Sequence, residues 1–213
     1  MENKIISINY SYAKKIFESL SYDNYKKLIF TNESLYSSSK ARGSKILINI
    51  IKNIFQNDDL VITDGTSNIG TDSIHLANEF KYVNCVEIDK NNFEALKNNT
   101  NILNLKKNIR VINGDINEEI KDLKQDIIYI DAPWGGKGYK ELTKLKLYLG
   151  KVEILDFYLK NKDMANVFIF KIPFNYDFDY LRSYICTKVI IYPYIVNNVI
   201  KYFLLAIGNI KSL

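Results

Sequence analysis

The chain is short of the residue types that cross-link a fold or act as ready-made catalysts. Its 213 residues include two cysteines, one histidine and one tryptophan. Cys85 and Cys186 lie in separate apolar runs without the spacing of metal ligands, so we predict two buried, reduced thiols in a cytosolic protein. His75 has neither a second histidine nor a paired cysteine near it, and we expect it to be structural. The sequence therefore predicts no disulfide framework, no metal site and no histidine base.

Long hydrophobic runs are also missing. One of the longest, Val189 to Val196, is well short of the ~20 apolar residues that a membrane-spanning helix needs. The first four residues show no signal-peptide pattern. We expect an intracellular protein, cytoplasmic or nuclear, without a membrane partner. Heavy use of Ile, Lys, Asn and Tyr indicates an AT-rich genome and is compatible with a virus, for which the host cytoplasm is the expected location.

The residues that are present fit one globular domain, or one domain with a small extension. Hydrophobic residues make up 47% of the chain and charged residues 25%, which allows a sizeable core. The formal net charge of +5 favours a polyanionic partner. This indication is weak, because a lysine-rich composition alone produces the same charge.

The apolar pattern changes its period along the chain. Helical spacing covers residues 11–55, apart from a polar stretch at 31–45 that we predict to be a loop. From residue 60 onward strands alternate with helices, which favours a parallel sheet covered on both faces, and Asn197-Asn198 predicts an antiparallel hairpin at its edge. The predicted strands are 60–63, 82–88, 109–112, 127–130, 167–172, 185–195 and 199–207, and the helices after the extension are about 70–79, 90–103 and 152–160. We divide this α/β chain into a helical extension or lid at 1–56 and a main domain at 57–213.

The most informative stretch is Asp-Ala-Pro-Trp-Gly-Gly at residues 131–136, directly after a buried strand. The strand delivers Asp131 to the carboxyl edge of the sheet, where open α/β folds bind ligands. Pro133 stiffens the turn, and the two glycines permit a close approach that a side chain would forbid. A flat aromatic, Trp134, is thereby held beside a carboxylate and outward-facing carbonyls of Ala132 and Pro133. This arrangement suits a planar base that carries an exocyclic amine.

Three earlier strands also end in acids at this edge. Asp64 opens a turn of small residues, Glu87 follows about twenty residues later, and Asp115 follows the third strand. In doubly wound folds an acid at the position of Glu87 hydrogen-bonds a ribose, and three acids at one edge of the sheet are a more specific pattern than any single one. Each acid alone is as readily explained as a helix cap, and we predict that Asp89 is one.

Residues 64–139 resemble the class I S-adenosylmethionine-dependent methyltransferases, in which a glycine turn, a ribose acid, an adenine acid and a motif after the fourth strand occur in this order. The hexapeptide at 131–136, followed by Lys-Gly-Tyr, is similar to the Pro-Pro-Trp-Gly-Gly motif of the trimethylguanosine synthase family, the RNA cap guanine-N2 methyltransferases. The stretch at 172–177 resembles that family's Leu-Pro-Arg-Asn. The resemblance implies a Rossmann-like, mostly parallel seven-stranded sheet, S-adenosyl-L-methionine as cofactor, and capped RNA carrying a 7-methylguanosine as partner. We expect the protein to be a monomer.

The resemblance also implies roles for individual residues. Asp64, Gly65 and Gly70 would surround the methionine moiety, Glu87 the ribose hydroxyls and Asp115 the adenine amine. Trp134 would stack on the cap guanine. The expected set around the transferred methyl group is Asp131, Ala132, Pro133 and Trp134, with Asp131 also near the cofactor. The expected contacts of base and triphosphate come from Tyr36, Ser38, Ser39, Lys40, Arg42, Lys45, Lys137, Phe174 and Asn175.

Three departures from the pattern keep other functions open. Ala132 replaces a proline and Asn68 a glycine, while Asp131 stands where cap enzymes often have serine and adenine amino-methyltransferases have Asp or Asn. Methylation of adenine in DNA or RNA is therefore an alternative, as is an inactive subunit of a capping complex. Whether Asp131 removes a proton or only accepts a hydrogen bond is also left open.

Overall fold

A computed structural model describes residues 3–210 except residue 106, and for Lys137 it describes the backbone only. The N-terminal part contains β1 (Ile5–Ile6), α1 (Tyr10–Ile16), α2 (Tyr22–Tyr25), β2 (Phe30–Thr31), α3 (Ser34–Ser37) and α4 (Ala41–Phe55). The next part contains β3 (Val61–Asp64), α5 (Thr71–Ala77), β4 (Tyr82–Glu87), α6 (Lys90–Ile102), β5 (Ile109–Asn113), α7 (Ile116–Glu119) and β6 (Ile127–Ile130). The last part contains β7 (Tyr148–Leu149), β8 (Val152–Glu153), α8 (Ile154–Asn161), β9 (Val167–Pro173), α9 (Phe178–Tyr184), β10 (Val189–Val196) and β11 (Val199–Gly208). Two 3-10 helices lie at Ile120–Asp122 and Gly136–Glu141.

Seven strands form the central sheet in the order β10-β11-β9-β6-β3-β4-β5. The five strands from β9 to β5 are parallel, and β11 is antiparallel to both of its neighbours. All four residues of β6 and all seven of β9 are buried, as expected for parallel strands covered on both faces. The predicted parallel sheet and C-terminal hairpin are confirmed. The topology brings the carboxyl ends of β3, β4 and β6 to one edge.

The N-terminal extension shares its core with the sheet. Leu47, Ile51 and Ile54 on one face of α4 belong to the same cluster of buried residues as Ile62 of β3 and Val83 of β4. The predicted loop at 31–45 is wrong in part, because α3 occupies 34–37 and α4 already begins at residue 41. Polar residues of this stretch are buried by tertiary contacts, so hydrophobic periodicity does not detect the helices.

The C-terminal third contains one helix that the sequence analysis did not predict, α9, and the strand expected from residue 185 begins only at Val189. Cys186 falls in the short connection between them and is exposed, so its predicted burial is wrong, whereas Cys85 is buried as predicted. Asn197 and Asn198 have φ of 51° and 58°, values that asparagine tolerates better than most residues, and they confirm the predicted turn. Within the described residues, every helix is too short or too polar to span a bilayer.

Candidate active site

The turn after β3 is held by short contacts around Asp64. This side chain is 1% exposed, and its Oδ2 accepts a hydrogen bond from Ser73 Oγ at 2.5 Å. Burial raises the pKa of Asp64 to about 7, and the bond from Ser73 opposes this shift. Gly70 has a φ of +94°, which favours glycine, and a Cβ at Gly65 would lie 2.5 Å from Ile130 Cδ1. The turn therefore depends on both glycines and packs directly on β6.

Asn68, which stands where the family usually has glycine, also adopts a positive φ of 50°. Its backbone N–H donates to Glu87 Oε2 at 2.7 Å, and its side-chain Nδ2 donates to Ser37 Oγ at 3.2 Å. Asn68 thus adopts a left-handed backbone conformation, which glycine also tolerates, and ties the turn to α3. Asn68 marks a place where the N-terminal extension closes on the predicted cofactor pocket.

The two other acids at this edge are also held by backbone N–H groups. Glu87 Oε1 accepts from the N–H of Asp89 at 2.8 Å, and burial raises the pKa of Glu87 to about 7. Asp115 Oδ1 accepts from the N–H of Asn117 at 2.9 Å and so caps α7. Asp89 caps α6, as predicted. Each acid has a cap-like or turn-stabilising contact, but among the described residues Asp115 Oδ2 has no hydrogen-bond donor and can accept one from a ligand.

These residues fit a nucleoside with an amino-acid tail. Asp64, Glu87 and Asp115 end neighbouring strands at one edge, and Gly65 lets the backbone approach closely. Carboxylates at such positions accept hydrogen bonds from ribose hydroxyls, an adenine amine and an ammonium group. The structure therefore brings the predicted cofactor acids together at one edge of the sheet.

Asp131 forms an ion pair with Lys171 of β9. Its Oδ2 lies 2.6 Å from Lys171 Nζ, and the side chains of Asp131 and Lys171 are 19% and 8% exposed. The Asp131 N–H donates to Thr66 Oγ1 at 2.8 Å, which fixes the start of the hexapeptide against the turn after β3. Burial raises the pKa of Asp131, and Lys171 opposes that shift. Burial alone would lower the pKa of Lys171, but Asp131 and Asp72 together raise it.

Asp72, on α5, connects this pair to the N-terminal extension. Its Oδ2 accepts from Ser39 Oγ at 2.6 Å and from Tyr129 OH at 3.0 Å, and its Oδ1 accepts from Ser44 Oγ at 2.6 Å. Lys171 Nζ in turn donates to Ser39 Oγ at 3.0 Å. The hydroxyl of Ser39 therefore lies in the protein interior and does not face a phosphate, contrary to the expectation from sequence.

Trp134 is half-buried at the edge of both hydrophobic clusters. Its ring centroid is 5.1 Å from that of Tyr139 and 6.4 Å from that of Tyr202, in edge-to-face geometry in both cases. Lys171 Nζ lies 5.9 Å from the Trp134 ring centroid. The indole is thus oriented by two tyrosines beside the Asp131–Lys171 pair.

Buried polar atoms without a partner are concentrated in the predicted substrate residues. Among the described residues the unpaired atoms are Ser38 Oγ, Trp134 Nε1, Asn175 Oδ1 and Tyr192 OH. A buried polar group that lacks a partner costs about 1–3 kcal/mol, so native folds keep few of them. Three of these four residues belong to the set that the resemblance assigns to the substrate.

Of the remaining predicted substrate residues, only some lie near Trp134 in the described part of the chain. Phe174 is 44% exposed and lies 6.4 Å from the Tyr139 ring, so it extends the aromatic group of Trp134. Tyr36 is 68% exposed without a described contact to that group. Lys40 Nζ lies 3.7 Å from the Tyr12 ring centroid, and Arg42 is exposed on α4. Lys45 forms an ion pair with Glu18, and the side chain of Lys137 lies outside the described residues.

Sequence reasoning missed Asp72, Tyr139, Lys171 and Tyr202. Lys171 had a detectable signal, because it is the only charged residue in the apolar run 167–172, and a charge in a buried strand needs a partner. Tyr139 follows the glycine motif, but the sequence alone gives it no role. Asp72 and Tyr202 reach the site only through the packing of α5 and β11, for which the sequence has no local signal.

The fold and this edge of the sheet define a class I S-adenosylmethionine-dependent methyltransferase. A family profile described as RNA cap guanine-N2 methyltransferase matches residues 60–209. The chain belongs to this family. Its cofactor is S-adenosyl-L-methionine, and its activity is methyl transfer.

The chain is also similar to individual proteins. An uncharacterised protein of Acanthamoeba polyphaga mimivirus is 31% identical over 209 aligned positions, which cover 84% of this chain and 81% of the relative. A crystal structure from Porphyromonas gingivalis described as a methyltransferase is 19% identical with a TM-score of 0.65, covering 85% of this chain but only 44% of that longer chain. A human methyltransferase 10 domain containing protein is 13% identical with a TM-score of 0.64, covering 80% of this chain and 84% of the other. At these identities the two solved structures establish the fold.

Proposed function

We propose that this protein transfers a methyl group to the exocyclic N2 amine of a 7-methylguanosine RNA cap. The observation that carries the proposal is the loop after β6, on which a carboxylate, Asp131, and an indole, Trp134, both half-buried, stand three residues apart. The name of the matching family and the hexapeptide at 131–136 support this substrate. The proposed partner is therefore capped RNA, bound by a monomer.

Methyl transfer to this amine requires precise alignment of the reacting groups more than it requires a strong base. The lone pair of guanine N2 is spread into the ring, so the amine is a poor nucleophile. The cofactor supplies a methyl group on a positively charged sulfur, which is already a strong electrophile. Holding the amine in line with that methyl group is worth up to about 7–11 kcal/mol in favourable cases. Asp131 and the backbone carbonyls of Ala132 and Pro133 are suited to hold the amine hydrogens.

Trp134 accounts for the preference for a methylated cap. Guanine methylated at N7 carries a positive charge, and a cation over an indole face gains about 0.5–2 kcal/mol, more when desolvated. The edge contacts of Tyr139 and Tyr202 fix the indole from the side. Arg42, exposed on α4, is available for the triphosphate. The two unpaired atoms Trp134 Nε1 and Asn175 Oδ1 support a polar ligand at this place.

Adenine methylation is the second candidate, because the Asp131 carboxylate suits an adenine amine as well as it suits a guanine amine. Labelled donor should be supplied with 7-methylguanosine cap dinucleotide, with unmethylated cap dinucleotide and with adenine-containing oligonucleotides. We expect transfer to the 7-methylated cap. Transfer to adenine alone would replace the first proposal by the second. Cap binding without any turnover would instead indicate a binding subunit.

Trp134→Ala tests the stacking. We expect the affinity for the 7-methylated cap to fall at least about tenfold, which corresponds to 1.4 kcal/mol, while the affinity for S-adenosylmethionine changes less than about twofold. Trp134→Phe keeps a ring and should lose less. Tyr22→Ala, at a 57% exposed aromatic of α2, is the control. Calorimetric titration measures both ligands, and equal loss of both would show that Trp134 only supports the fold.

A further inference from the structure

Lys171 is the unusual residue of the sheet. It lies in β9, whose seven residues are all buried, and every other residue of that strand is apolar. Removing an ammonium group from water is costly, so a lysine at such a position is retained only with partners. Its Nζ lies 2.6 Å from Asp131 Oδ2 and 3.0 Å from Ser39 Oγ. The partner Asp131 is the first residue of the hexapeptide that carries the proposed function.

The pair sets both the charge and the orientation of Asp131. Lys171 Nζ donates a hydrogen bond to Asp131 Oδ2, while Thr66 Oγ1 accepts one from the backbone N–H of Asp131. Among the described residues nothing donates to Oδ1, so this oxygen can accept from a substrate amine. Since a carboxylate bonded to an ammonium group binds a further proton less readily, the same contact opposes protonation of Asp131.

We propose that Lys171 is a positioning residue for methyl transfer, which holds Asp131 as an ionised hydrogen-bond acceptor for the target amine and keeps it from acting as the base. This inference rests on the proposed amine methylation. As the amine nitrogen forms its bond to the methyl carbon, the bond from that carbon to sulfur breaks and its electron pair goes to sulfur. The positive charge passes to nitrogen, which then loses one proton to water. Asp131 stabilises the amine hydrogens throughout without taking one.

The surroundings of the pair predict the effect of removing the lysine. Burial raises the pKa of Asp131, and Lys171 is the cation that opposes this rise. The other charged or titratable groups that face the pair are Asp64 of β3, Asp72 of α5, Tyr129 of β6 and Tyr202 of β11. None of them is a cation, so without Lys171 the carboxyl of Asp131 becomes protonated at a higher pH.

Lys171→Met should therefore change the pH profile as well as the rate. At pH 7 we expect single-turnover methylation to fall about 100-fold, the size of the loss when one preorganised electrostatic partner is removed. The rate should recover to within about tenfold of the wild type as the pH rises and Asp131 ionises. Lys171→Arg should keep the wild-type profile. Lys201→Met, at an exposed lysine of neighbouring β11, is the matched control.

A double variant separates an acceptor from a base. In Asp131→Asn combined with Lys171→Met, an amide oxygen replaces the carboxylate and no charge is left unpaired. We expect this variant to methylate at least about tenfold faster than Lys171→Met at pH 7. Since asparagine does not titrate, its rate should show no fall at low pH that is due to residue 131. A double variant as slow as Lys171→Met, or an unshifted acid limb in Lys171→Met, would overturn the proposal.

A measurement without any substrate keeps the inference apart from the proposed function. Isotope-edited NMR of the Asp131 carboxyl should show its titration at higher pH in Lys171→Met than in the wild type, and at nearly the wild-type pH in Lys171→Arg. If the shift is present but no cap is methylated, the proposed substrate is wrong and the role of Lys171 stands. If cap methylation is present and the shift is absent, Lys171 is only structural. If Lys171→Met fails to fold, the double variant is compared with the wild type, and methylation more than about tenfold slower than the wild type would overturn the proposal.

Discussion

At the scale of single residues, two acids of this site, Asp115 and Asp131, use one carboxylate oxygen for the fold and leave the other open for a ligand. Asp115 uses Oδ1 to accept from Asn117 and cap α7, while Oδ2 has no donor among the described residues. Asp131 uses its two oxygens in the same way: Oδ2 accepts a hydrogen bond from Lys171 Nζ, while Oδ1 has no donor among the described residues. A helix cap and a ligand contact are therefore not competing explanations for such a residue. One carboxylate has enough lone pairs for both.

Asp115→Asn tests this division. The amide oxygen can still cap α7, but the amide NH2 cannot accept from an adenine amine, so the fold should persist while the donor affinity falls about tenfold or more. Asp89→Asn, at the residue that caps α6, should leave the affinity unchanged. Calorimetric titration with S-adenosylmethionine measures both variants. Unchanged affinity in Asp115→Asn would remove the adenine assignment.

At the scale of elements, α4 is one of the parts of the extension that reach the site. Its residue Ser44 donates to Asp72, and the position of Gly43 faces the hydroxyl of Tyr202 on β11. A Cβ at Gly43 would lie 2.6 Å from Tyr202 Oη and 3.9 Å from Cζ. The glycine therefore serves close packing between helix and strand, although glycine inside a helix costs about 1 kcal/mol relative to alanine.

Gly43→Ala should destabilise the protein by about 1–3 kcal/mol, because the overlap with the rigid tyrosine hydroxyl outweighs the gain in helix propensity. Tyr202→Phe removes the oxygen that causes the overlap. In the double variant Gly43→Ala and Tyr202→Phe, most of the lost stability should return. Urea unfolding of the four proteins measures the coupling energy, and additive effects would show that this contact does not limit the approach of α4.

At the scale of the whole molecule, acids are buried along the ligand edge of the sheet. Burial raises the pKa of both Asp64 and Glu87 to about 7, far above their values in an unfolded chain. Between about pH 4 and pH 7 each acid binds more protons in the folded state than in the unfolded state. The free energy of unfolding therefore falls as the pH rises through this window.

The protein should accordingly be more stable at pH 5 than at pH 8, by at least about 2 kcal/mol, since one pKa unit corresponds to 1.36 kcal/mol. Asp64→Asn removes one of the two acids and should make this decline clearly smaller. Asp58→Asn, at an exposed acid, should leave it unchanged. Urea unfolding at the two pH values measures the decline, and equal declines in all three proteins would contradict the burial of an ionisable Asp64.

The sequence by itself determined the parallel sheet, the C-terminal turn and the order of acids along the ligand edge. Apolar runs such as 127–130 favour buried strands, and the turn residues Asn197 and Asn198 tolerate the required φ. The helices at 34–37 and from 41 were missed, because their buried polar residues have partners distant in sequence, as in Ser44 with Asp72.

Only the tertiary structure decided which groups stand next to the hexapeptide. Lys171 is 40 residues from Asp131 along the chain, and Asp72 is 28 residues from Ser44. Because the partners are so far apart in sequence, no local pattern predicts either pairing. Strand order brings β9 beside β6, and the packing of α4 on α5 brings hydroxyls to the buried carboxylate. Side-chain chemistry is fixed by the sequence, but the partner that sets the charge of Asp131 is fixed by the neighbouring strand.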